Sequence, residues 1–184
     1  MIENSFVLKR TTTIHGRRSS KLSSMIASLF TSAYVMNWSL FFPQTPLKYP
    51  PSFDARAICY PSEQNIQDYF SWRQVDCHIN NMYNLCFWSL VDKGGKTHRE
   101  AESILMTTNS AGKNELLFSS FNINYNNVDE IFRKGTIIYR EKKSISMQDI
   151  KGKSYVKEVL ELVQFHGDII KDDFWTDKIN IKNL

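Results

Sequence analysis

The sequence predicts a domain that mixes helices and strands, and two observations carry that prediction. Residues 22–40 and 72–90 repeat apolar side chains at three- and four-residue intervals, the spacing of one helix face. Short runs elsewhere, Glu3 to Lys9, Phe53 to Tyr60, Gly135 to Glu141 and Val159 to Phe165, read as strands. With 184 residues, 42% hydrophobic and 13% aromatic, the chain has the length and composition of one globular domain. A net charge of +4 and a pI near 8.9 permit a nucleic-acid partner without demanding one.

After the first strand, Thr11 to Gly16 reads as a turn, and Ser19 and Ser20 lie close to a helix start. The helix carries Leu22, Met25, Ile26, Leu29, Phe30, Ala33, Met36 and Leu40, and Pro43 stops it. Its stretch from Met25 to Phe42 lacks charge and must be weighed as a membrane span. Ser28, Thr31, Ser32 and Ser39 gather on one side, so the expectation is a two-faced core helix and no membrane. Prolines 43, 46, 50 and 51 make the next stretch an extended loop. Beyond the central helix, Gly94-Gly95 is a break and Thr97 to Thr107 a short helix. Residues 107–115 are polar and contain glycine, and 122–127, with four Asn, read as an ordered loop or binding edge. Lys142 to Lys153 is expected to be polar and little constrained, and a turn or helix closes the chain at Asp172. The division expected is 1–141 and 142–184 within one globular unit.

The central helix opens after Pro61, with Ser62 as its N-cap. Trp72, Val75, Ile79, Met82, Tyr83, Cys86, Phe87 and Leu90 share one face, expected to be buried. Arg73, Gln74, His78, Asn80, Asn81 and Asn84 share the other. Surface helices usually place Lys and Glu there; Asn and His form helices less well but donate and accept more freely. A helix with such a face is suited to binding something polar. Asp76 falls among the apolar positions and needs a partner, most simply an Arg.

Arg17, Arg18 and Lys21 cluster at a helix N-terminus, where positive charge opposes the dipole unless an anion binds. His78 has the side chain for acid–base work, or is a satisfied helix histidine. The four His and three Cys show no zinc spacing and no triad. Cys59, Cys77 and Cys86 form no CxxC pair, which fits reduced thiols in the cytoplasm or nucleus. Met1 to Arg18 has no secretory apolar region.

The string WRQ-x-DCHINN-x-YN-x-x-FW, residues 72–88, resembles the central helix of the tRNA(His) guanylyltransferase family, enzymes that extend tRNA at its 5′ end. The likeness continues, in order, through Tyr49-Pro50-Pro51-Ser52-Phe53-Asp54-Ala55-Arg56, Gly112 to Phe118, Asn122 to Asn127, Arg133-Lys134-Gly135-Thr136, His166-Gly167-Asp168-Ile169-Ile170 and Phe174-Trp175. It spans roughly residues 3–177.

The resemblance implies an α+β fold, a polymerase-palm-like antiparallel sheet with packed helices, incomplete at the N-terminus. It implies addition of guanosine to tRNA(His) with ATP and GTP as substrates, and a homo-oligomer, a tetramer in the family. Arg18 and Lys21 would hold the triphosphate, with Arg17 beside them. His78, Asn81, Asn84 and Lys113 would engage tRNA, with His78 and Glu3 nearest the chemistry. Without the family, Lys113-Asn114-Glu115 is a polar trio and no more. The family also implies Mg²⁺ held by two aspartates; Glu3 matches the glutamate beside the second, Ile2 stands at that aspartate's position, and the strand bearing the first is missing. No metal ligand is therefore assigned, and the 184 residues alone are expected to be inactive. The alternatives are a non-catalytic tRNA-binding paralogue or subunit, and a longer enzyme of which Met1 is an internal residue.

Overall fold

The computed structural model describes residues 3–148, 152 and 154–179. The chain divides into two compact units, one of residues up to Pro61 and one from Ser62 onward.

In the first unit, residues 3–9 and 53–60 are not strands, contrary to expectation. A strand persists when its N–H and C=O groups meet a neighbour's, and among the described residues neither segment has one. A 3₁₀ turn, Ile14–Arg17, leads into helix α1, Ser19–Phe41. The expected core helix is only half realised, since no residue of α1 is fully buried. Its inward side is aromatic. Phe53 meets Phe30 edge-on at 4.8 Å between ring centroids and Tyr34 at 5.4 Å, while Trp38 stacks on Phe42 at 4.4 Å. The proline-rich segment thus folds back along α1, and Met25, Leu29, Met36 and Leu40 remain exposed. No helix of the described residues is long and apolar enough to cross a membrane.

The second unit is built on α2, Glu63–Trp88, which extends through a wider π turn, Ser89–Lys93. Ser62 caps α2 as expected, its hydroxyl accepting from the Asn65 amide at 3.2 Å. Gly94 ends the turn where a Cβ would lie 2.7 Å from the Leu90 carbonyl oxygen, so only glycine fits. Helix α3, His98–Met106, opens with a reciprocal cap: Glu100 accepts from the Thr97 amide at 2.8 Å, and Thr97 from the Glu100 amide at 3.3 Å. The polar residues 110–115 begin helix α4, Ser110–Phe121. Asn109 starts the helix there, its side-chain oxygen accepting from the Gly112 amide at 2.8 Å. Asn122 ends α4 in the left-handed conformation that asparagine tolerates. Met82, Cys86 and Leu90 from the central helix meet Ala101, Leu105, Leu117 and Tyr125 in the main core.

Helix α5, Glu130–Lys134, precedes strand β1, Ile137–Gln148, which pairs antiparallel with β2, Ser154–Phe165, from Ile137 opposite Phe165 to Gln148 opposite Ser154. The fold is α+β, with one two-stranded antiparallel sheet among the described residues. Residues 142–148 are strand rather than unconstrained chain, and residue 141, the boundary expected from the sequence, lies inside β1. The hairpin's inner face, Tyr139, Val163 and Phe165, joins Phe70, Ile169, Phe174 and Trp175 in a second core.

Along α2 the expected apolar face holds from Met82 onward and fails before it. Trp72 and Ile79 are 58% and 52% exposed, whereas Gln74, placed on the polar face, is buried at 6%. The cause is what α2 packs against there. Gln74 Nε2 donates to the Lys134 and Gly167 carbonyls at 3.1 and 3.0 Å, and its Oε1 accepts from the Ile169 amide at 3.0 Å. Loop backbone at that point needs an amide, so a polar side chain takes the buried position.

Candidate functional site

Two groups of side chains carry the chemistry expected from the sequence, one in each unit. In the first unit, the turn before α1 holds His15, Gly16 and Arg17 at positive φ. Arg17 Nη1 donates to the carbonyls of Lys9, Arg10 and Thr12 at 3.2, 3.2 and 3.3 Å and so closes the preceding loop on itself. Arg18 is the N-cap residue of α1 and donates from Nε to the His15 carbonyl at 3.3 Å. Lys21 lies exposed in the first turn, which contains no acidic residue. The α1 amides at this end point at whatever sits beside Arg18 and Lys21. The arrangement suits a phosphate group, which accepts from both amides and cations.

Glu3 belongs to the same unit and is exposed; Ile2 lies outside the described residues. A magnesium ion prefers several oxygen ligands in octahedral geometry, usually with one or two carboxylates. Among the described residues no three His, Cys, Asp or Glu side chains lie together. Glu3 alone does not fit such an ion.

In the second unit, His78, Asn81 and Asn84 follow one another along α2 at three-residue spacing, with Asn84 exposed and the other two half-buried. Tyr125, 4% exposed, holds the first two. It stands in a 3₁₀ turn, Tyr125–Asn127, nucleated by Asn124, whose side chain accepts from the Asn126 amide at 3.0 Å. The Tyr125 hydroxyl accepts from Asn81 Nδ2 at 3.0 Å and donates to the His78 carbonyl at 3.2 Å. It also lies 3.5 Å from His78 Nδ1, and the two rings meet edge-to-face at 5.2 Å. Burial raises the phenol's pKa, partly offset by the Asn81 bond and Arg133, so Tyr125 stays neutral. Tyr125 also lines an open cavity of about 440 Å³ with Asn114, Glu115, Phe118, Asn124 and Asn126.

Lys113 sits half-buried in α4, and its ammonium donates to the Thr108 carbonyl and, at 3.4 Å, to the Leu105 carbonyl. It therefore caps the end of α3, and the ammonium stands 6.0 Å from the centre of the Tyr83 ring of α2. Asp76 has the arginine the sequence called for, with Arg73 Nη1 at 3.3 Å. The Arg-Lys-Gly-Thr and His-Gly-Asp motifs form a brace: His166 Nδ1 lies 3.3 Å from Thr136 Oγ1 and 3.2 Å from the Gly135 carbonyl, and both segments bond to Gln74. All three cysteines are free thiols. Burial pushes Cys86 up to about 11, only partly offset by Lys113 nearby. Sequence reasoning missed Tyr125, whose one signal was an aromatic residue set among asparagines, and Gln74, which helical spacing placed on the wrong side.

Two family models match in succession. The tRNAHis guanylyltransferase model covers residues 2–61, and the model described as "Thg1 C terminal domain" covers residues 64–171. The chain belongs to the tRNA(His) guanylyltransferase family. The models meet where the two units divide. A probable tRNA(His) guanylyltransferase of Dictyostelium discoideum is 51% identical over 175 residues, covering 95% of this chain and 67% of the relative. The Neurospora crassa enzyme of that name is 44% identical over 199 residues, covering 94% and 68%. The crystal structure of the Saccharomyces cerevisiae enzyme superposes with a TM-score of 0.66 at 44% identity, covering 84% of this chain and 62% of that one. A bacterial tRNA(His) guanylyltransferase-like protein solved with ATP shares the fold, with a TM-score of 0.59 at 21% identity and 60% of its length covered. The chain thus spans about two thirds of the length of these relatives.

Proposed function

We propose that these residues form the triphosphate-holding and tRNA-engaging part of a tRNA(His) guanylyltransferase, which adds guanosine to the 5′ end of tRNA(His) with ATP and GTP. The observation that carries the reading is the 51% identity to a relative of that name over 95% of this chain. The geometry supports it. Arg18 and Lys21 flank the amides of α1, where a triphosphate gains charge-assisted hydrogen bonds and a favourable dipole. Arg17 supports them by closing the loop that leads into the helix. His78, Asn81 and Asn84 offer a row of donors and acceptors to RNA, with the His78 imidazole as the acid–base group of the row. Lys113 adds a cation at the edge of that row, and a homo-oligomer is the expected assembly.

No step is assigned to a metal, because Glu3 alone does not fit one. The 184-residue chain should therefore bind tRNA(His) and GTP but transfer nothing. The experiment incubates the purified chain with 5′-monophosphorylated tRNA(His), labelled GTP, ATP and Mg²⁺, and follows binding and transfer separately. Transfer by the chain alone would overturn the reading of Glu3. Failure to bind either ligand would overturn the functional reading itself.

A further inference from the structure

We propose that Tyr125 is the positioning residue of the tRNA-engaging face: its buried hydroxyl fixes the Asn81 amide and the adjoining turn of α2 at His78. The proposal rests on the tRNA reading above. Asn81 Nδ2 donates to the phenol at 3.0 Å, so the amide oxygen is turned away from Tyr125. The phenol's single proton goes to the His78 carbonyl at 3.2 Å, an oxygen with a second lone pair beyond its helical bond. The Tyr125 ring meets the imidazole edge-on at 5.2 Å and 78°, which limits its tilt. One side chain therefore sets the direction of two groups that, on an exposed helix face, would otherwise sample several rotamers.

Tyr125 can do this because it is itself buried. It lies in the main core with Met82, Cys86 and Leu117, at the start of a turn capped by Asn124. RNA bases and phosphates present acceptors and donors at set angles, so an amide held in one orientation binds with less rotamer entropy to lose. Tyr125 touches no reacting atom in this scheme. It acts through Asn81 and His78.

The test is a double-mutant cycle on the intact 184-residue chain, read as the dissociation constant for 5′-monophosphorylated tRNA(His). Tyr125→Phe keeps the packed ring and removes the hydroxyl, and it should weaken binding roughly five- to tenfold. In an Asn81→Ala background the same change should add less than about twofold, because the bond that orients the Asn81 amide is already gone and only the bond to the His78 carbonyl remains to be lost. GTP affinity should not move. Tyr125→p-aminophenylalanine restores the donor to the His78 carbonyl but is only a weak acceptor for Asn81 Nδ2, so it should fold like the parent and still recover little of the loss, which covers the case in which the Phe variant folds poorly. If His78→Ala and Asn81→Ala weaken tRNA binding while Tyr125→Phe does not, the positioning role is overturned and the tRNA reading stands. An equal loss from Tyr125→Phe in both backgrounds would mark a general structural effect and overturn the role. If neither His78→Ala nor Asn81→Ala affects tRNA, the reading beneath it falls as well.

Discussion

Replacing Gln74 with leucine removes three hydrogen bonds at once, to the Lys134 and Gly167 carbonyls and from the Ile169 amide. Each such bond is worth about 1 kcal/mol net, and where the partner stays buried and unpaired the loss rises to about 1.5 kcal/mol per bond. The leucine regains about 1–2 kcal/mol from apolar burial. The balance is a loss of about 3 kcal/mol from the second unit. Urea unfolding reads it directly, with a midpoint about 1–3 M lower at ordinary m-values. Trp175 is a built-in probe, since its indole is buried and donates to the Ile169 carbonyl at 2.7 Å. Its emission should move to the red in the variant even without denaturant. Gln74→Glu adds a check on sign. A carboxylate facing two carbonyls binds its proton more tightly folded than unfolded, so that variant should gain stability as pH falls. A Gln74→Leu midpoint within about 0.3 M of the parent would refute the claim that this amide braces α2 to the segments around it.

Other outcomes follow from the same geometry. Arg18→Ala and Lys21→Ala should each weaken GTP binding about tenfold in a titration at low salt, whereas Arg17→Ala should chiefly loosen the loop, seen as faster amide exchange at residues 9–12. Iodoacetamide at pH 8 should label the exposed Cys59 and spare Cys86, by peptide mass mapping of the folded chain. Because the Cys86 thiol titrates near 11 folded against an ordinary 9.0, the native state holds its proton longer. Its contribution to stability is present below about pH 9 and lost as pH rises towards 11, which melts at stepped alkaline pH would show.

Much of this fold is legible in the sequence where local chemistry decides. Ser62, Thr97 with Glu100, Pro43 and the glycines at 94–95 mark helix ends because each acts on its own neighbours. The strands expected at 3–9 and 53–60 are absent, since pairing depends on a partner elsewhere in the chain and not on a segment's own residues. The face of α2 was misread at Gln74, Trp72 and Ile79 for a related reason: the helix packs there against loop backbone, which calls for an amide rather than an apolar group. At the candidate site, the α1 cations and the α2 row were legible as residue types. The division of labour between Arg17 and Arg18, the capping role of Lys113 and the hub at Tyr125 depend on contacts between segments 5 to 47 residues apart.

The most direct test of the account is a salt titration of tRNA(His) binding, comparing the parent chain with Lys113→Ala and with the Asn81→Ala, Asn84→Ala pair. An RNA-engaging surface that meets phosphates must release counterions, so affinity should fall linearly on logarithmic axes between roughly 50 and 200 mM salt. Lys113→Ala should lower that slope by about one, and the asparagine pair should weaken binding with little change of slope, because amides carry no charge. Binding indifferent to salt, or unchanged in both variants, would contradict the assignment of tRNA to this face.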